Sequence, residues 1–230
     1  MKLTLVPIAA LAALLGVGHH AHAQDATPLP EPSAETSPAA DEAKRVLTPE
    51  EKAEKESRKA CKIKICDILA TKNPQGDDVA CDIVKTWREE DIVKMLGGKI
   101  TWPWGKAVCQ SKLELKRAPL AKAMSDGDSE VALPTQTVRC TLAQKSEDEP
   151  YAIEVAMAPK VKFKDGKAVE ATLNWGEASA PLLVYPLIYA GTGLDNNANV
   201  LGPEVVRMVN QFATKKCAEV KNELPSAKGN

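Results

Sequence analysis

The residues of this chain best suited to chemistry are its six cysteines, three histidines, four tryptophans and one Asp/Asn-rich string. All three histidines, His19, His20 and His22, lie near the amino terminus. They follow Lys2 and the apolar run Leu3 to Val17, and Ala21-His22-Ala23 puts small residues where a signal peptidase cuts. Residues 1–23 therefore read as a cleavable secretory signal. The apolar run falls short of the roughly 20 residues needed to cross a bilayer, so no transmembrane segment is expected in the mature chain. Cleavage would leave that chain without imidazole. Triads, dyads and ligand sets built on histidine, HExxH among them, would go with it. No S-x-x-K, G-x-S-x-G or Gly-rich phosphate loop occurs either. Carboxylate, reactive-cysteine and lysine chemistry survive.

Cys61, Cys66, Cys81, Cys109, Cys140 and Cys217 all lie beyond the signal. An even count in an exported chain reads as a disulfide framework. Zinc is disfavoured, because four residues separate Cys61 from Cys66 and no second pair or histidine set accompanies them. The C-x-x-C of thiol–disulfide exchange is missing too. The pairing expected from spacing is Cys66–Cys81 and Cys109–Cys140, with Cys61–Cys217 by elimination.

Three further groups invite a functional reading. Asp195-Asn196-Asn197-Ala198-Asn199 matches the first half of an EF-hand loop, but Val200 replaces the glycine and Val206 the bidentate glutamate. A polar connector is the better account, so no metal is expected. Glu89-Glu90-Asp91 would need burial of one carboxylate to act as an acid–base pair, and its polar surroundings make it a solvated turn. Trp102 and Trp104, either side of Pro103, share one face of an extended segment. They form a possible binding surface for a sugar ring or apolar partner, set against the commoner role of rings that cap a core.

The elements that must position these groups follow from local signals. Residues 24–46, rich in Pro, Ala and Glu, read as a disordered linker. Thr48-Pro49-Glu50-Glu51 starts a helix with a capping box, and Cys61, Ile65 and Ile68 form its buried stripe. Asp77 or Asp78 is expected to cap a second helix with Ala80, Ile83, Val84 and Trp87 on one side; Thr86-x-x-Glu89 offers a further capping box. Strands follow: Ile100 to Leu115 with a bulge near Gly105, Thr137 to Leu142, and Tyr151 to Met157. A hairpin spans Lys160 to Trp175 about an Asp165-Gly166 turn. In that hairpin Val161 and Phe163 share odd numbering with Val169, Ala171, Leu173 and Trp175, which a plain two-residue turn forbids: either the loop has an odd number of residues or one strand is bulged. Leu182 to Tyr189 is the most hydrophobic run beyond the signal; burial against the sheet is expected of it, with an exposed partner-binding or membrane-touching segment as the rival. Gly202-Pro203-Glu204 opens a last helix carrying Val205, Val209 and Phe212.

The expected class is α+β: N-terminal helices, a central antiparallel sheet of three to five strands and C-terminal helices, disulfide-stapled. Residues 47–224 make one domain and 225–230 a polar tail. The formal net charge of −1 gives no basic footprint for nucleic acid. The function this favours is a non-catalytic domain, periplasmic or secreted, that binds a protein or envelope component, with no catalytic residue and no cofactor. The rival is a carboxylate enzyme acting on glycans, which needs two facing acids; aromatics are only 4% of the chain, too few to line its cleft well. Amino-terminal sequencing of the exported protein should begin at Gln24; a chain still starting at Met1 would overturn the no-histidine argument.

Overall fold

Helix α1, Pro49–Thr71, begins where the sequence places it. The Thr48 hydroxyl accepts from the Glu51 N–H at 3.2 Å, and the Glu51 carboxylate accepts from the Thr48 N–H at 2.8 Å. It ends at Lys72, whose φ of 52° leads the chain out ahead of Asn73-Pro74. The computed structural model describes residues 46–95, 102–146, 149–182 and 184–227. The signal, the histidines, Ile100 and all but the last residue of the expected linker lie outside the described residues.

The second expected helix is instead a strand, β1, Val79–Trp87. It pairs antiparallel with β2, Ala107–Leu115, from Val79↔Leu115 to Trp87↔Ala107. Val79, Cys81 and Ile83 then share one face and pack with Cys61, Ile65 and Ile68 of α1. The proposed helical face is split: Ala80 points the other way and is exposed. Thr86 caps nothing; its N–H and hydroxyl donate to Glu54 at 2.9 and 2.7 Å. A short helix α2, Glu89–Met95, carries the three acids in its first turn, where they complement the positive end of the helix dipole. Residues 102–106 form a loop ahead of β2 rather than a bulged strand.

Three elements were not anticipated, the strand Trp175–Ser179 among them. Helix α3, Arg117–Ala123, buries Leu120, Ala121 and Ala123. Asp78 does cap a helix, but this one, accepting the Arg117 N–H at 2.9 Å. Strand β3, Asp128–Ala132, follows. The remaining strands are β4, Gln136–Leu142; β5, Tyr151–Met157; β6, Lys160–Lys164; β7, Lys167–Thr172; and β8, Trp175–Ser179. They make two antiparallel sheets, β1-β2-β4-β5-β8 and β3-β6-β7.

The hairpin conflict resolves as a bulge. Asp165 and Gly166 have φ of 49° and 76°, a two-residue turn. Lys162 pairs with Glu170 but Phe163 with Ala168, so Val169 is the extra residue and is 56% exposed. Trp175 belongs to the other sheet. Helix α4, Tyr185–Ala198, and helix α5, Gly202–Gln211, complete the fold. Val205, Val206 and Val209 of α5 cover the inner face of the three-stranded sheet. Gly202 is obligatory, since a Cβ there would stand 2.5 Å from the Ala171 carbonyl and the Asn199 amide. Beyond it a π-helical turn, Phe212–Lys216, leads to Cys217. The tail is not free at its start: the Ser226 N–H donates to Asp67 of α1 at 3.0 Å.

The architecture is α+β and disulfide-stapled, with bonds Cys61–Cys81, Cys66–Cys217 and Cys109–Cys140. Only the last matches the expected pairing. Cys61 shares the helical stripe of Ile65 and Ile68 that meets β1, whereas Cys66 packs on the opposite side with Val220 and Leu224. Proximity in sequence suggested the wrong partner; the helix face decides it.

One ion pair ties the start of α1 to the end of β1. The Arg88 Nε–H donates to Glu51 at 2.7 Å, and this contact holds the Glu51 carboxyl at a pKa of about 2, against the ordinary 4.5. A carboxylate depressed on folding stabilises above its unfolded pKa and loses that contribution as pH falls through the folded value. Glu51→Gln should cost about 1–2 kcal/mol at pH 7. In urea titrations its deficit against the native chain should shrink between pH 4.5 and about 2; a deficit independent of pH would refute the assignment.

Candidate functional site

The apolar run at 182–189 is divided by the helical period of α4. Val184 is buried and Ile188 packs toward Ile153 and Leu142, while Leu182, Tyr185 and Tyr189 face outward. Tyr185 and Tyr189 stack at 6.0 Å between ring centroids, 21° from parallel. Tyr189 is 66% exposed and Leu194, further along the helix, 58%. Between this face and β8, the rim strand of the five-stranded sheet, runs a groove of about 670 Å³. Glu177 of β8, Tyr185, Tyr189, Leu194, Asn196 and Asn197 are among its lining residues.

The Asp/Asn string forms the hinge of this groove and is spent on structure. Asp195, 3% exposed, accepts from the indole N–H of Trp175 at 2.8 Å and from the Leu201 N–H at 2.7 Å. The Asn196 amide clasps the Trp175 backbone, accepting its N–H and donating to its C=O, both at 2.8 Å. Asn197 donates to Gly193 C=O at 2.7 Å and Asn199, at φ 48°, to Ala171 C=O at 3.0 Å. All four side chains are committed within the chain. Among the described residues no group of three or more His, Cys, Asp or Glu is placed to hold a metal ion.

Asp195 is the one buried carboxylate among the described residues, and both its oxygens are occupied. Glu89 sits on the surface and pairs with Lys145 at 2.7 Å. All six cysteines are in disulfides.

Trp102 and Trp104 lie apart from the groove's lining. The indole N–H of Trp102 donates to Gly105 C=O at 2.9 Å, closing the loop on itself. The two rings meet edge to face at 4.8 Å, and Trp104 meets Tyr151 at 6.5 Å. Both are half-buried against the cluster of Ile92, Ala107, Leu142, Ile153 and Val184. The sequence around the groove carries no charge between Glu177 and Asp195, and two tyrosines sit four apart within that span.

The chain matches no family model, no curated protein and no solved structure. Three disulfides are compatible with a protein outside the cytoplasm. Among the described residues no helix is long and apolar enough to cross a membrane.

The packing of the two tryptophans generates a stability test. Trp102→Ala with Trp104→Ala should remove about 2 kcal/mol per half-buried ring and lower the thermal midpoint by about 10 °C. An unchanged midpoint in a calorimetric scan would show that the rings do not brace this core and would return them to the role of a binding surface.

Proposed function

We propose that this is an exported, non-catalytic domain that binds a partner protein or envelope component in the periplasm or outside the cell, and that the groove between β8 and α4 is its binding face. The observation that carries the reading is the uncharged, exposed surface of Leu182, Tyr185, Tyr189 and Leu194 beside an open groove. Of the large hydrophobic side chains that stay exposed among the described residues, most belong to residues 182–201. Contiguous apolar exposure of this kind marks an interaction surface, because leaving it in water has a free-energy cost. The three disulfides supply a rigid support, which lowers the ordering cost of association. The glycan-enzyme alternative has weaker support, since it calls for a pair of facing acids roughly 5–10 Å apart and Asp195 is committed elsewhere.

The test is retention. Native protein should be retained on an immobilised envelope preparation. Tyr185→Ser with Tyr189→Ser should cut that retention about tenfold, as loss of two aromatic anchors does. Both rings being outward, the thermal midpoint should move by less than about 3 °C. Equal retention of native and variant protein would remove the groove from consideration.

A further inference from the structure

The rims of the sheets are treated unequally. A rim strand presents N–H and C=O groups that another chain can pair with, and proteins usually blunt them. On β1 this is done by α1: Ser57 donates to Asp82 C=O, Arg58 to Val84 C=O, and Glu54 accepts the Thr86 N–H. On β7 the Asn210 amide clasps the backbone of Ala168 as Asn196 does Trp175, and Asn199 takes Ala171 C=O. On β8 the clasp by Asn196 closes Trp175 alone. Among the described residues no side chain caps Gly176 to Ser179, a stretch whose first three residues line the groove. The β3 rim lacks such caps too among the described residues, but its Glu130 already pairs with Lys160 at 3.5 Å.

Charge singles out the same stretch. Glu114, Glu130, Glu154 and Glu170, the other glutamates on strands, each pair with a Lys or Arg. Glu177 is exposed, lines the groove and has no cationic partner among the described residues. It is also the one charged residue lining that groove.

We propose that Gly176–Ser179 receives an extended segment of a partner polypeptide as an added strand, with a Lys or Arg of that segment against Glu177 and apolar side chains against Tyr185 and Tyr189. This rests on the groove being the binding face. Strand addition draws affinity from main-chain hydrogen bonds and selectivity from alternate side chains. A second copy of this chain is a poorer occupant, because β8 laid antiparallel on β8 brings Glu177 toward its own copy. A lipid surface is poorer still, since α4 carries no Lys or Arg to meet anionic headgroups.

The test uses the full, disulfide-bonded chain as bait for a library of random linear octapeptides. Enriched sequences should carry one Lys or Arg with apolar residues at alternate positions. Glu177→Lys should invert the preference toward Asp or Glu, and Glu177→Gln should abolish it without inverting it. The best synthetic peptide should slow amide exchange at Gly176–Ser179 at least tenfold, and its analogue N-methylated at alternate residues should not bind. Failure to enrich any peptide, enrichment indifferent to residue 177, or unchanged exchange would overturn the proposal. So would equal protection from raising protein concentration alone, or from vesicles of anionic phospholipid. If the library fails while the tyrosine variant still loses envelope retention, strand addition falls and the binding face stands. If peptides enrich as described but native protein is not retained on envelope material, strand addition stands and the envelope partner falls.

Discussion

Helix α1 has to lie across β1, and most of the molecule is arranged around that contact. Its stripe of Cys61, Ile65 and Ile68 packs on Val79, Cys81 and Ile83, and Cys61–Cys81 makes the contact covalent. One to two turns earlier Glu54, Ser57 and Arg58 satisfy backbone groups of β1 that would otherwise stand at a sheet rim. Its far side holds Cys66, through which the carboxyl-terminal segment is tied down against Val220 and Leu224. A helix bonded on two faces leaves β1 one place to lie, and β1 sets the register of β2 and the strands beyond.

Polar side chains do comparable work at the other end. Asn196, Asn199 and Asn210 present an amide to a strand much as a neighbouring strand would, so two helices close rims that sheet pairing leaves open. Because these bonds are made by side chains one at a time, closure is local, and a strand can be sealed at one residue and open two residues later. Asp195 fixes the geometry of this region by joining Trp175 to the start of α5. The groove is therefore framed by satisfied hydrogen bonds, with an apolar wall that nothing within the described chain covers.

How much of this was legible in the sequence depends on the range of the deciding interaction. The capping box of α1, the alternation of Tyr151 to Met157 and the Asp165-Gly166 turn are settled by neighbours, and each is where its residues place it. The bulge at Val169 was visible as a conflict between two local rules, one of which had to yield. β1 was misread because Ala80, Ile83, Val84 and Trp87 fit a helical period; pairing with β2 and a bond to Cys61 override it. Helix α3 is short, contains Pro119 and takes its cap from Asp78, far back in the chain. The cysteine pairing was recoverable in part: at 3.6 residues per turn, Cys66 stands about 140° around α1 from Cys61, so the two cannot serve the same neighbour. The apolar wall of the groove is legible in the uncharged run at 182–189, but its other wall is not, because the rim position of β8 is a fact of sheet order and not of local composition.

The pattern of bonds along the chain is interleaved, and that has a consequence for biogenesis. Cys66 lies inside the loop closed by Cys61–Cys81, yet its own partner follows 151 residues later. In the chain-entropy model that late bond contributes about 5 kcal/mol, more than the about 3 kcal/mol of the shorter loop. A chain delivered amino end first into an oxidising compartment presents Cys61, Cys66 and Cys81 together, with Cys217 still to come. An oxidant that joins cysteines in order of arrival makes Cys61–Cys66 and traps the helix without either of its tethers. For a chain oxidised in that order, the observed pairing is reached either when α1 docks on β1 before oxidation, turning Cys66 away from Cys61 and Cys81, or when a thiol isomerase undoes the first pairing.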